Sequence, residues 1–157
     1  MNYLFVLLVF SIIASCINEK SRTNQQPQHP LVGEWVNTYL RVDMHTYKNS
    51  DTTRIMEADE SNWEQKLKAK TIHSFYRADG SYNSVHRNLK DSIVYNPAGV
   101  WSTKADSLYM TDTFPKHGIK YVYKYKINKS IAEFWGTEDF DQDGKIDDTY
   151  YGRQRRL

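Results

Sequence analysis

The chain has 157 residues, a formal net charge of +2 at pH 7, 25% charged residues and one cysteine. That length holds one ordinary domain with a single core. The near-neutral balance argues against a nucleic-acid partner, and a lone cysteine excludes an internal disulfide framework.

An uncharged stretch from Tyr3 to Ala14, followed by Ser15 and Cys16, opens the chain. It is about a dozen residues long, short of the roughly 20 a helix needs to span a bilayer. It therefore reads as the apolar region of a secretory signal, residues 1–15, whose removal leaves Cys16 first. The n-region Met1-Asn2-Tyr3 carries no Lys or Arg. The layout resembles the lipobox of bacterial lipoproteins. That resemblance implies a lipid thioether on Cys16, which anchors the protein to a membrane surface without spanning it and consumes its only thiol. Ile17 stands where some inner-membrane lipoproteins carry aspartate, so the expected address is the cell envelope, at the outer membrane.

Residues 16–30 are polar, include Gln25-Gln26-Pro27-Gln28 and Pro30, and show no apolar period, which predicts a flexible tether. The folded domain is expected over 31–157. Alternation of period two runs through Glu34–Tyr47 and Lys66–Phe75, and again through Leu108–Thr111, Ile119–Ile127, Ile131–Trp135 and Thr149–Arg155. In the second run Lys66, Lys68 and Lys70 share one face while Leu67, Ala69, His73 and Phe75 share the other, which predicts a strand. A capping-box pattern over Ser61–Glu64 offers a short helical turn as its rival. Turn chemistry at Ala78-Asp79-Gly80-Ser81, Asn96-Pro97-Ala98-Gly99, Pro115-Lys116-His117-Gly118 and Asn128-Lys129-Ser130 separates the runs. For the hairpin at Asp79-Gly80, a two-residue loop would set His73 opposite His86. A four-residue loop pairs Phe75 with Tyr82 and His73 with Ser84, and is preferred because it matches two aromatics. Seven to nine antiparallel strands follow, predicting an all-β, up-and-down barrel of about eight strands, since closure removes the edges. An open β-sandwich is the alternative.

The motifs Leu31-Val32-Gly33-Glu34-Trp35, Phe75 to Tyr82 with its Asp79-Gly80-Ser81-Tyr82 end, Gly99-Val100-Trp101, Asp106-Ser107-Leu108 and Tyr150 to Arg155 occur in that order. In that order they resemble the lipocalin-like lipoproteins of Bacteroidota-type bacteria, over about four-fifths of the chain. The resemblance implies a lipocalin-like barrel with Trp35 at its closed end, capped by a basic residue of the last strand, Arg153 or Arg155, stacked on the indole. It also implies a small hydrophobic or amphiphilic ligand.

Glu138 to Asp148 holds six acids and one lysine, a local charge of −5 in a chain of net +2. Asp139, Asp141 and Asp143 stand at alternate positions, with Gly144 sixth, Lys145 seventh and Asp147 ninth, which matches the opening of an EF-hand loop. Tyr150 occupies position twelve, where a bidentate glutamate belongs, so Asp148 or Glu138 is expected to supply the missing oxygen. Oxygen-only ligands suit Ca²⁺, and the truncated set predicts a weak site, on the order of 10⁻⁴ to 10⁻³ M. The competing reading is a hairpin turn of solvated acids.

His73 is expected as a hydrogen-bonded interior histidine, while His29, His45 and His117 fall in tether or loop contexts. Tyr121, Tyr123 and Tyr125 alternate against Lys124 and Lys126, so their phenols are expected inside, either filling the barrel or lining a cavity. The basic run Arg153-Gln154-Arg155-Arg156 suits an anionic lipid surface or the acidic loop. No nucleophile motif, phosphate-cradling glycine loop or His-Glu-x-x-His occurs. The expectation is therefore a binding protein and not an enzyme, with no nucleic acid as partner. The alternative is an interaction or inhibitor module, with a filled barrel docking another envelope protein.

Overall fold

The computed structural model describes residues 28–157. Cys16, the expected signal 1–15 and most of the expected tether lie outside the described residues. The described residues form ten strands, four of them outside the alternating runs named above: β1 (Gly33–Met44), β2 (Arg54–Asp59), β3 (His73–Tyr76), β4 (Ser81–Arg87), β5 (Ile93–Tyr95), β6 (Ala98–Lys104), β7 (Ser107–Phe114), β8 (Lys120–Asn128), β9 (Ile131–Glu138) and β10 (Asp148–Arg156). A short α-helix, α1 (Trp63–Leu67), and a 3-10 turn at Tyr47–Asn49 interrupt them.

β1, β3, β4, β6, β7, β8, β9 and β10 are successive antiparallel neighbours, and β10 pairs back onto β1 from Trp35↔Arg156 to Asp43↔Thr149. That last pairing closes an eight-stranded up-and-down barrel and excludes the open sandwich. β2 and β5 stand outside the ring. β1 is long enough to serve two partners on one side, β3 along Gly33–Val36 and β2 along Tyr39–Met44. β5 adds to the end of β4.

A register shift between Asn37 and Tyr39 accommodates the double duty. An extra residue at a bulge exchanges the faces of a strand, so the inward side of β1 passes from Trp35 and Asn37 to Leu40, Val42 and Met44. The core is accordingly in two parts. Trp35, Leu31, Tyr76, Tyr82, Leu108 and Phe134 fill the barrel around the start of β1. Leu40, Val42 and Met44 pack with Ala58 of β2 and Trp63 of α1 beyond it, where Phe140 and Tyr150 join them.

The strand expected over Lys66–Phe75 is corrected by the structure. Its first residues belong to α1, and β3 begins only at His73. Trp63 decides this, because a turn of helix buries its indole to 1% exposure and lets Nε1 donate to the Lys70 carbonyl at 3.2 Å. The following hairpin takes neither expected register: Tyr76 pairs with Tyr82, Ser74 with Ser84 and His73 with Val85. Arg77 N–H donates to the Ser81 carbonyl, enclosing three residues that end on Gly80 at φ +82°. A loop odd by one residue moves the pairing by one and turns every side chain over. Ser74 and Tyr76 therefore face inward. His73 lies outside, 40% exposed, with Nδ1 2.9 Å from Glu34 Oε1, not in the interior.

Candidate functional site

Trp35 marks one end of the barrel. It is fully buried, and its Nε1 donates to the Leu31 carbonyl at 2.7 Å. The guanidinium over its ring belongs to Arg156, 4.5 Å from the centroid, which corrects the expectation of Arg153 or Arg155. Inward positions on β10 are Asp148, Tyr150, Gly152, Gln154 and Arg156, so the two odd-numbered arginines face out. Arg153 lies over Tyr39 and Arg155 reaches Glu60 at 3.3 Å; neither meets the acidic loop. Arg156 also donates to the carbonyls of Val32 and Pro30. Its path crosses Gly33, where φ is +142° and a Cβ would come 2.7 Å from Nη1. The Gly33-x-Trp35 spacing thus makes room for the cap.

His29, expected in the tether, is part of this end. Its ring lies edge-on to Trp101 at 5.3 Å, and its Nε2 is 3.1 Å from Thr103 Oγ1. Burial among these groups holds the imidazole below the ordinary range, favouring its neutral form.

The other end is hollow. A cavity of about 220 Å³ lies between the inward side chains. Tyr76, Tyr82, Tyr95, Tyr121, Tyr123 and Tyr150 line it. The alternation of β8 therefore places Tyr121 and Tyr123 as expected. Two acids also face it, and sequence reasoning missed their position. Asp112, 1% exposed, accepts hydrogen bonds from the hydroxyls of Tyr82 and Tyr121. Glu138 accepts one from Tyr123. The signal was present in the alternation: Asp112 continues the face of Leu108 and Met110, and Glu138 the face of Ala132 and Phe134. Burial raises the carboxyl of Glu138 above the usual range, opposed by the Tyr123 hydrogen bond and reinforced by Asp112 nearby. It likewise pushes the phenols of Tyr76, Tyr121, Tyr123 and Tyr150 well up, so they remain hydroxyl donors. Gln154, 6% exposed, donates from Nε2 to Asn37 Oδ1 at 3.1 Å, while its Oε1 has no partner.

The acidic segment forms the β9–β10 loop beside that end. Asp139, Asp141 and Asp148 bring carboxylate oxygens within 4.8 Å of one another. Of the two acids expected to compensate for position twelve, Asp148 joins this group and Glu138 points into the barrel instead. Among the described residues the converging group does not include Asp143 or Asp147. Asp143 accepts from the backbone N–H groups of Asn49 and Lys145 at 3.2 and 2.9 Å, and Asp147 from Thr46 Oγ1 at 3.0 Å. These two acids, together with Asp141, which accepts from the Lys48 N–H, clip the β1–β2 loop onto the β9–β10 loop. Lys145 stays with Asp143, its Nζ 3.8 Å from Oδ2. Gly144 takes φ +92°, and its N–H and that of Asp143 cap Asp139. Asp148 is fully buried. Its Oδ2 accepts from the N–H groups of Phe140 and Asp141 at 2.7 and 3.2 Å, whereas Oδ1 has no partner.

No helix among the described residues is long and apolar enough to cross a membrane. Comparison with protein-family models, curated proteins and solved structures finds no match.

Proposed function

We propose that this chain is a small-molecule binding protein of the cell envelope, tethered through a lipid on Cys16, whose barrel holds an amphiphilic ligand. The observation that carries the reading is the tyrosine-lined cavity of about 220 Å³ at one end of a barrel whose other end is plugged. A pocket with apolar walls and a few convergent polar groups is the usual form of a ligand site. The lipid tether is supported by the apolar run and Cys16 in the sequence, as is the outer-membrane address by Ile17. The resemblance to lipocalin-like lipoproteins agrees with this reading. An interaction module with a solid barrel has less support, because the barrel is not filled from end to end.

The experiment is extraction of the protein, purified from its native membrane, with organic solvent, followed by mass spectrometry. A stoichiometric small molecule, other than the lipid expected on Cys16, is the expected result. Repeated recovery of none would count against a binding role.

A second reading concerns the acidic loop, which we propose holds a Ca²⁺ ion between Asp139, Asp141 and Asp148. The specific support is Asp148, a carboxylate shut away from water with one oxygen unsatisfied and two like charges beside it. Such an arrangement is costly without a cation. With a dissociation constant on the order of 10⁻⁴ to 10⁻³ M, 10 mM calcium stabilises the protein by roughly 1.4–2.7 kcal/mol. Differential scanning calorimetry of the chelator-treated protein then shows a rise in Tm on the order of 5 °C. Asp148→Asn removes the rise. An equal calcium shift in that variant, or none in the unaltered chain, would dismiss the site.

A further inference from the structure

The cavity is chemically one-sided. Its wall carries two acids, Asp112 and Glu138, and neither Lys nor Arg; its one basic group, His86, is held below the ordinary imidazole range by burial, which favours the neutral form. Among the described residues neither acid takes part in an ion pair. The hydrogen bonds these acids accept come from phenol hydroxyls, which satisfy oxygens but bring no positive charge. Gln154 adds a third group of the same polarity, a buried amide oxygen with no donor. The wall also carries hydroxyl donors on Tyr76, Tyr95 and Tyr150, but the two carboxyl groups and the unpartnered Gln154 oxygen are met best by an occupant that brings N–H or O–H donors.

Charge narrows the choice further. Acids in a low-dielectric interior with no counter-ion favour an occupant that carries positive charge. Much of the rest of the wall is aromatic, and ring faces attract cations through the quadrupole, more strongly when water is excluded. Size sets the other limit. The cavity exceeds the roughly 150 Å³ that encloses benzene, yet at about 220 Å³ it falls below the ~300–1,000 Å³ of sites for drug-sized molecules. One ring with a short polar arm matches it.

We infer that the ligand is a small organic ammonium ion, a compact apolar body the size of one ring bearing a protonated amine, whose charge is met by Asp112 and Glu138 among the tyrosine rings. This rests on the binding role proposed above and names the chemical class of its ligand. A long-chain fatty acid is disfavoured on both counts, since its carboxylate would face two acids and its chain would exceed the space.

Isothermal titration of the purified protein with three probes of nearly equal shape tests the inference: 2-phenylethylammonium, 2-phenylethanol and 3-phenylpropionate. The ammonium is expected to bind at least tenfold more tightly than the alcohol, and the carboxylate not at all. Binding of the alcohol or the carboxylate as tightly as the ammonium overturns the choice of ligand class and leaves the binding role standing. Silence from all three overturns the ligand class, and joined to an empty solvent extraction it removes the binding role as well. Glu138→Gln is expected to weaken the ammonium more than the alcohol; an equal loss for both would mark Glu138 as structural and count against the inference. Should that variant fail to fold, the three-probe comparison on the unaltered chain decides.

Discussion

Replacing Trp35 with alanine is expected to lower the unfolding free energy by about 3–5 kcal/mol, the range for deleting a fully buried large aromatic side chain. Three losses combine. The indole is fully buried among the side chains of the first core, its Nε1 satisfies the Leu31 carbonyl, and its face seats the Arg156 guanidinium. None of these transfers to alanine, and the neighbouring strands are held apart by their own hydrogen bonds, so the void cannot fully close. Urea denaturation followed by far-ultraviolet circular dichroism measures the change. The arginines supply an internal control. Arg156→Ala loses an interaction of roughly 2 kcal/mol when shielded from water, together with its hydrogen bonds to two carbonyls. Arg155→Ala removes an exposed ion pair of about 0–1 kcal/mol. Should Arg155→Ala cost as much as Arg156→Ala, the register of β10 on β1 would be wrong by one residue.

Gly99→Ala is expected to destabilise by about 1–3 kcal/mol, as overpacking does where the neighbour cannot yield. A Cβ at this position would run into the carbonyl oxygen of Thr111 and stand 2.9 Å from its carbon. Both atoms belong to the backbone of β7, paired with β6, so relief requires separating two strands of the ring. The same methyl would lie 2.9 Å from the Tyr82 ring, which lines the cavity and donates to Asp112. Strain at Gly99 therefore reaches the cavity as well as the sheet. The urea midpoint reads the effect, and a loss below about 0.5 kcal/mol, the range of ordinary surface substitutions, would show that β6 and β7 are not so closely apposed.

The site residues differ in how far a linear reading could reach them. Asp139 was legible because its spacing is local: the loop folds on itself, and the N–H groups of Asp143 and Gly144 cap its carboxylate; Asp141 shares that capping through Asp143 N–H but also accepts from Lys48 N–H of the β1–β2 loop. Asp148 was one of two candidates for the missing oxygen. The two are directly paired at the mouth of the last hairpin and share a face; only the folded side chains separate them, Asp148 accepting from the loop N–H groups of Phe140 and Asp141 and Glu138 from Tyr123 inside the barrel. Asp143 and Asp147 share the spacing yet serve the β1–β2 loop, nearly 100 positions away in the chain. Sequence spacing does not report such a partner. Asp112 and Glu138 were legible in principle as continuations of apolar faces, but an acid at the end of an alternating run reads as the start of a turn.

Alternation in the chain was enough to establish antiparallel strands, several of the turns between them and the inward side of β8, where lysines mark the solvent face. These are properties of consecutive residues, since a strand presents successive side chains to opposite faces whatever surrounds it. Closure of β10 on β1, the inward side of β3 and β10, the choice of Arg156 over its neighbours and the hollow at one end came from the folded ring alone. A period of two defines two faces without saying which is buried. That decision belongs to register, and a one-residue change in a turn or a single bulge reverses it.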